Sequence, residues 1–230
     1  MLERFRGLAA AVITPLARFL LRIGATPDLI TCIGTVGVLL GALIFFPNGW
    51  FLPGVIIVTL FVLFDMLDGQ MAKISGRTTR WGAFLDSSLD RIGDGAVFGG
   101  VVLYFVGGDG PLIWPVIAVW ALVAGQLTSY VKARAESLGF TAPGGLAARA
   151  DRLLVILVAL FLAGLGVPYV LEIGLSVLAV INTITVGQRM LLVRRQAKRE
   201  DQKVHGDQKE HGNQEAGNQK EHGEPDAPAV

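Results

Sequence analysis

Cysteine is nearly missing from this chain: Cys32 stands alone among 230 residues. No disulfide framework and no cysteine-cluster metal site can therefore form within it, and Cys32 itself reads as a small packing residue in an apolar run. Histidine is missing from the whole apolar body, because His205, His211 and His222 all lie near the C-terminus. Any general base in the body must then be a carboxylate, a lysine or a tyrosine. A net charge is missing too, the formal value being +1, so the chain has no excess of one sign with which to hold nucleic acid. Charge of either sign is scarce at 17%, whereas hydrophobic residues make up 52% and the mean hydropathy is +0.55. That balance excludes an ordinary soluble domain and points to an all-α integral membrane protein.

Six apolar stretches, approximately residues 30–46, 51–67 and onward, 84–106, 112–131, 153–165 and 170–192, approach the roughly 20 residues that span a bilayer core, the fifth only with its flanks. Turn-forming clusters such as "PNGW", "SGRTTRWG", "GGDGP" and "GVP" separate them. Lysine and arginine sort by side: Lys73, Arg77, Arg80, Lys132, Arg134, Arg149, Arg152, Arg189, Arg194 and Arg195 fall on one side of a six-span plan, and the three alternate loops hold none. The positive-inside rule then predicts that both termini are cytoplasmic. At the N-terminus, Arg4, Arg6, Arg18 and Arg22 are scattered among apolar residues with Pro15 inside. This is no signal-peptide core but an amphipathic helix over residues 1–24 lying on the membrane surface. The bundle is expected over about 28–195. From residue 196 to 230 the chain is polar and near-repetitive, and it is expected to be disordered; its histidines read as those of a solvated tail.

Within this apolar setting the run "FDMLDGQMAKISGRTTRWGAFLDSSLDRIGDG", residues 64–95, is conspicuous for its aspartates. An unpaired carboxylate buried in a membrane protein costs several kcal/mol. Asp65 and Asp68 are three apart and Asp86 and Asp90 four apart, so each pair shares a helix face. Two spans joined by a short loop can turn those faces together. Four converging carboxylates repel one another unless cations neutralise them, and hard divalent ions suit oxygen ligands. The spacing thus predicts a site for Mg2+ or Mn2+, with two ions able to clamp a phosphate between them. Gly69 and Gly82 would let a ligand or a backbone approach closely, and Ala72 is small on the same face.

The pattern Asp65-x-x-Asp68-Gly69-x-x-Ala72-Lys73, eight residues, then Gly82-x-x-x-Asp86-x-x-x-Asp90 resembles the signature of the CDP-alcohol phosphatidyltransferase family. Lys73 departs from it, standing where the family has arginine and lacking the planar fork that grips phosphate. The resemblance extends over roughly residues 1–195 and implies transfer of a phosphatidyl group from CDP-diacylglycerol to an alcohol, with release of CMP. It implies two ions held by Asp65, Asp68, Asp86 and Asp90, with Asp90 also the base that deprotonates the incoming hydroxyl. It implies that Asp28, Leu29, Ile30 and Thr31, together with Gly69, Lys73 and Thr79, line the CDP-lipid site. From the residues alone, Thr26 to Asp28 is a helix break and cap. Asp94 lies outside the signature and is assigned a supporting role. A homodimer in the bacterial inner membrane, with its site on the cytoplasmic side, is also implied.

Basic residues at the cytoplasmic ends of the later spans suit an acceptor that already carries a phosphate. These segments resemble those of the actinobacterial phosphatidylinositol phosphate synthases, whose acceptor is myo-inositol 1-phosphate, which marks Ser129, Lys132, Arg134, Arg152 and Arg189 as acceptor-site candidates. Three other readings stand beside this one. Glycerol 3-phosphate could be the acceptor, giving phosphatidylglycerol phosphate. The carboxylates could belong to a cation or proton transporter, although such sites lie near the midplane of paired repeats and this motif occurs once, at one face. Or the aspartates could simply pair with Lys73, Arg77, Arg80 and Arg91, which explains charge balance but not the glycine spacing.

Overall fold

Local sequence signals set the helix ends. A computed structural model describes residues 13–76, 78–143 and 149–221. Backbone over 13–22 forms α1, which stops at Gly24, where φ is +87° and Ala25 N–H closes back on the Leu20 carbonyl at 3.0 Å. Glycine takes that left-handed cap without steric cost. Thr26 caps the next helix, α2 (Pro27–Phe45), by accepting from Leu29 N–H at 3.3 Å, with Pro27 in the first turn; the cap reading of this stretch therefore holds. A short break at Leu63 divides α3 (Phe51–Val62) from α4 (Phe64–Ser75), and Gly76, with φ +65°, ends α4. Thr79 caps α5 (Arg80–Gly107) by accepting from Gly82 N–H at 2.9 Å. The chain continues through α6 (Ile113–Ser137), α7 (Arg149–Gly164) and α8 (Val170–Glu221). No strand occurs among the described residues.

Among the described residues, four helical segments are long and apolar enough to cross a membrane: Pro27–Phe45, Phe51–Ser75, Ile113–Ser137 and Val170–Glu200. The other two expected spans fall short of that measure for physical reasons. The N-terminal part of α5, residues 80–94, carries Arg80, Asp86, Asp90, Arg91 and Asp94, and α7 has 16 residues, about 24 Å at 1.5 Å per residue against a core of about 30 Å. Of the N-terminal amphipathic helix, residues 1–12 lie outside the described residues. In α1, Ala17 is buried on Ile30, Leu67 and Met71, and Gln70 Nε2 donates to Thr14 Oγ1 at 3.2 Å, which seats α1 against α2 and α4. At the other end α8 does not stop near residue 196: helical backbone continues to Glu221, where disorder is expected from composition. Lysine, glutamate and glutamine are good helix formers, and no proline occurs between Pro168 and Pro225. The histidine-bearing stretch therefore extends the last helix, save for residues 222–230, which include His222 and lie outside the described residues.

Polarity is inverted relative to a soluble bundle. Ile33, Val36, Leu40 and Ile44 of α2 are exposed, while Gly34, Gly37, Gly41 and Ala42 are buried. Exposed branched aliphatics suit lipid, and small residues at the contacts let backbones meet. A methyl group at Gly37 would stand 2.2 Å from the Phe61 ring, and one at Gly100 would stand 2.7 Å from the Ala42 carbonyl oxygen. Those close approaches press α3 and α4 against one side of α2 and α5 against another. In consequence the aspartates of α4 and α5 are brought to the same end of α2.

Candidate active site

The break at Leu63 sets the frame of α4, placing Asp65 in its first turn, where the helix dipole favours a carboxylate. Asp68 follows one turn later and is buried at 7% exposure, its Oδ2 accepting from Thr31 Oγ1 of α2 at 2.5 Å. Asp86 of α5 faces them from the open side. Oxygens of Asp65, Asp68 and Asp86 lie within 4.8 Å of one another. Three negative oxygens at that separation form a donor set suited to a hard cation rather than a mutually satisfied hydrogen-bond network. The expected four-carboxylate convergence is thus realised for three. Asp90, one turn along α5, is held instead by a cation of the protein: its Oδ1 lies 2.8 Å from Arg149 Nη1.

Arg149 is the residue that sequence reasoning passed over. Its Nη1 also donates to Asp65 Oδ2 at 3.2 Å, and its Nε reaches Asp94 Oδ1 at 3.4 Å. Asp94, expected in a supporting role, is buried and also faces Arg152 Nη2 at 3.8 Å. The one available signal was spacing: Arg149 precedes Arg152 by three residues in "ARADRLL", so the two share a face of α7. Among the basic residues first weighed as simple salt-bridge partners, Arg91 comes within 3.8 Å of its neighbour Asp90, and Arg77 lies outside the described residues.

A cavity of about 240 Å³ opens beside the three carboxylates, walled in part by Asp28, Thr31, Gly69, Ala72, Thr79 and Gly82. Nothing stands within 4 Å of where a Gly69 side chain would begin, so that glycine leaves room for something other than protein. Of the stretch 28–31, Asp28 and Thr31 face this cavity, while Leu29 is 51% exposed on the outside of the bundle and Ile30 is buried in the apolar cluster under α1. The helical period divides the four residues between two faces. Lys73 is exposed in the last turn of α4 and does not wall the cavity.

The acceptor candidates separate in the same way. Arg152, 5% exposed, donates from Nη1 to Thr128 Oγ1 at 3.0 Å, and Arg189 donates to the Thr128 carbonyl. Gly125 makes this possible, since a side chain there would start 3.2 Å from Arg152 Nε and from Asn182 Nδ2. Ser129 is half-buried beside Thr128. Lys132 and Arg134 lie farther along α6, exposed, beside Glu136 at 3.9 Å and Ser137 at 3.3 Å. The structure therefore gathers Arg152 and Arg189 around Thr128 and leaves Lys132 and Arg134 at the rim.

Residues 24–185 match the family model described as CDP-alcohol phosphatidyltransferase. The chain is 51% identical over 203 residues to a phosphatidylinositol phosphate synthase of Cutibacterium acnes, covering 85% of this chain and 98% of that protein. The fold matches the crystal structure of Mycobacterium tuberculosis phosphatidylinositol phosphate synthase with CDP-DAG bound, at a TM-score of 0.76 and 41% identity over 80% of this chain and 94% of that one. A second structure of the Mycobacterium tuberculosis enzyme, in complex with manganese and citrate, matches at a TM-score of 0.76 and 42% identity, covering 79% and 88%.

Proposed function

The chain belongs to the CDP-alcohol phosphatidyltransferase family, and we propose that it acts as a phosphatidylinositol phosphate synthase, transferring the phosphatidyl group of CDP-diacylglycerol to myo-inositol 1-phosphate with release of CMP. The observation that carries this reading is the trio Asp65, Asp68 and Asp86 within 4.8 Å, opening on the cavity walled by Gly69. Identity to the Cutibacterium acnes synthase over almost all of that protein's length supports the acceptor.

In this reading Asp65, Asp68, Asp86 and Asp90 would hold Mg2+ or Mn2+, two ions per site, which would supply positive charge against the pyrophosphate and the entering and departing oxygens. Asp28, Thr31, Gly69 and Thr79 accommodate the CDP-lipid, and the exposed Lys73 approaches its phosphates from the rim. Asp90 takes the proton of the inositol hydroxyl, whose oxygen forms a bond to the lipid-bearing phosphorus. The bond from that phosphorus to the bridging oxygen breaks, and CMP departs with that oxygen. Arg152 and Arg189, with Ser129 nearby and Lys132 and Arg134 at the rim, orient the acceptor through its phosphate, which a guanidinium can grip bidentately. The chain spans the bacterial cell membrane six times, α5 and α7 included, because their charged ends meet the cytoplasmic surface where the site opens. The N-terminal helix lies in the interface, and the enzyme works as a homodimer.

Purified protein given CDP-diacylglycerol and Mg2+ should release CMP with inositol phosphate. Release with glycerol 3-phosphate alone would overturn the choice of acceptor, and no release with any phosphorylated polyol would overturn the reaction. Gly69→Leu gives a narrower test of the cavity. Because the first carbon of a side chain there has nothing of the protein within 4 Å and opens on the cavity, the thermal midpoint should stay within a degree or two of wild type, as expected for a change worth about 0.5 kcal/mol or less. CDP-diacylglycerol binding should nevertheless be lost. A variant that binds the lipid normally would remove this cavity from the substrate site.

A further inference from the structure

The three carboxylates Asp65, Asp90 and Asp94 converge on one side chain, Arg149, and the transfer reaction as described above gives that side chain no task. Its contacts are arranged unevenly. One nitrogen, Nη1, bridges Asp65 Oδ2 at 3.2 Å and Asp90 Oδ1 at 2.8 Å, while a different nitrogen, Nε, lies 3.4 Å from Asp94 Oδ1. Asp65 and Asp90 sit on different helices, α4 and α5, and Nη1 is the group that joins them. A small space bordered by Thr35, Asp65, Asp90, Gly93 and Arg149 leaves about 10 Å³, room for roughly one water.

We propose that Arg149 is a built-in counter-cation that competes with a divalent ion for Asp65 and Asp90, so that the arginine bridge and an ion shared by those two carboxylates exclude one another. This rests on the metal reading given above. An ion about 2.0 to 2.6 Å from an oxygen of each of these carboxylates would stand close to Nη1, which already lies 3.2 Å from Asp65 Oδ2 and 2.8 Å from Asp90 Oδ1, and like charges repel steeply at such range. The exchange stays compensated because Asp94 has its own contact, on Nε, and keeps the guanidinium tethered while Nη1 releases the other two. The carboxylates thus have a positive partner before an ion arrives, which lets the acidic cluster fold at a membrane edge without one.

Manganese titration by calorimetry, with thermal unfolding in EDTA and in saturating Mn2+, tests this on the purified full chain. Arg149→Gln is expected to bind one Mn2+ about tenfold more tightly than wild type, a coupling of ordinary size. Its thermal midpoint should fall below wild type in EDTA, and that gap should close in Mn2+. Arg149→Lys keeps one charge but cannot hold Asp94 with one nitrogen while bridging with another, so its affinity should lie between the two; it also serves if the glutamine variant does not fold. Equal or weaker Mn2+ binding in both variants, or a midpoint gap that is the same in EDTA and Mn2+, would make Arg149 a structural ion pair and overturn the proposal. Absence of Mn2+ binding by wild type would instead overturn the metal reading on which it rests.

Discussion

Asp90→Asn should abolish CMP release while leaving CDP-diacylglycerol binding nearly unchanged. Asparagine has the same shape, and its carbonyl oxygen can still accept from Arg149 Nη1, which stands 2.8 Å from Asp90 Oδ1, so the local packing survives. What is lost is the capacity to take a proton. General-base assistance contributes about 10²- to 10⁴-fold, and the body of the chain has no histidine that could substitute, since His205, His211 and His222 all lie beyond residue 200. The oxygens that draw together beside the cavity belong to Asp65, Asp68 and Asp86, so the nucleotide-lipid end of the site keeps its ligands. The expected signature is a collapse of kcat with the KM for CDP-diacylglycerol little altered, the pattern of an interaction made in the transition state. Turnover at the wild-type rate would remove Asp90 from the role of base.

A second large loss is expected at Asp68. This carboxylate is the most deeply buried of the cluster and leans on the Thr31 hydroxyl at 2.5 Å rather than on a cation. Asp68→Asn preserves an acceptor for that hydroxyl but offers a hard divalent ion a neutral amide oxygen in place of a charged one. Even outer-shell changes cost metal sites about 10- to 100-fold in affinity, so Mn2+ binding should weaken by at least about 100-fold, and activity with it. Mn2+ affinity separates the two explanations of the acidic cluster: Asp68 leans on Thr31 and not on a cation, so an ion-pair role for its neighbours predicts unchanged Mn2+ binding in this variant. In an ion site the substitution also relieves repulsion among Asp65, Asp68 and Asp86, so the midpoint in EDTA should hold or rise. Intact Mn2+ binding would return the cluster to a structural role.

Much of the site was legible in the chain because its carboxylates are carried by two neighbouring helical stretches, where spacing converts directly into a shared face. Asp65 with Asp68, and Asp86 with Asp90, needed only the helical period and a short connection, and Gly69 announced the open side. The stretch 28–31 was legible as a unit, but the helical period divides it: Asp28 and Thr31 border the cavity, while Leu29 and Ile30 turn away from it. The continuation of α8 to Glu221 was missed because composition measures the lack of a packed apolar face, not the ability of lysine, glutamate and glutamine to extend a helix that a buried segment has already nucleated.

By itself, then, the sequence determined the membrane class, the helix caps, the acidic face of α4 and α5, and the family signature, all of which depend on residues near one another in the chain. Which cation meets which carboxylate was decided by the tertiary structure. Arg149 lies 84 residues from Asp65 and 55 from Asp94, and it reaches them because glycines at 34, 37, 41 and 100 let α2 draw α3, α4 and α5 close while α7 packs on α3. The same packing gathers Arg152 and Arg189 on Thr128 and leaves Lys132 and Arg134 outside. Side chains of one sign placed at loop ends look alike along the chain, and only the distances created by helix packing distinguish a charge that enters the site from one that faces solvent.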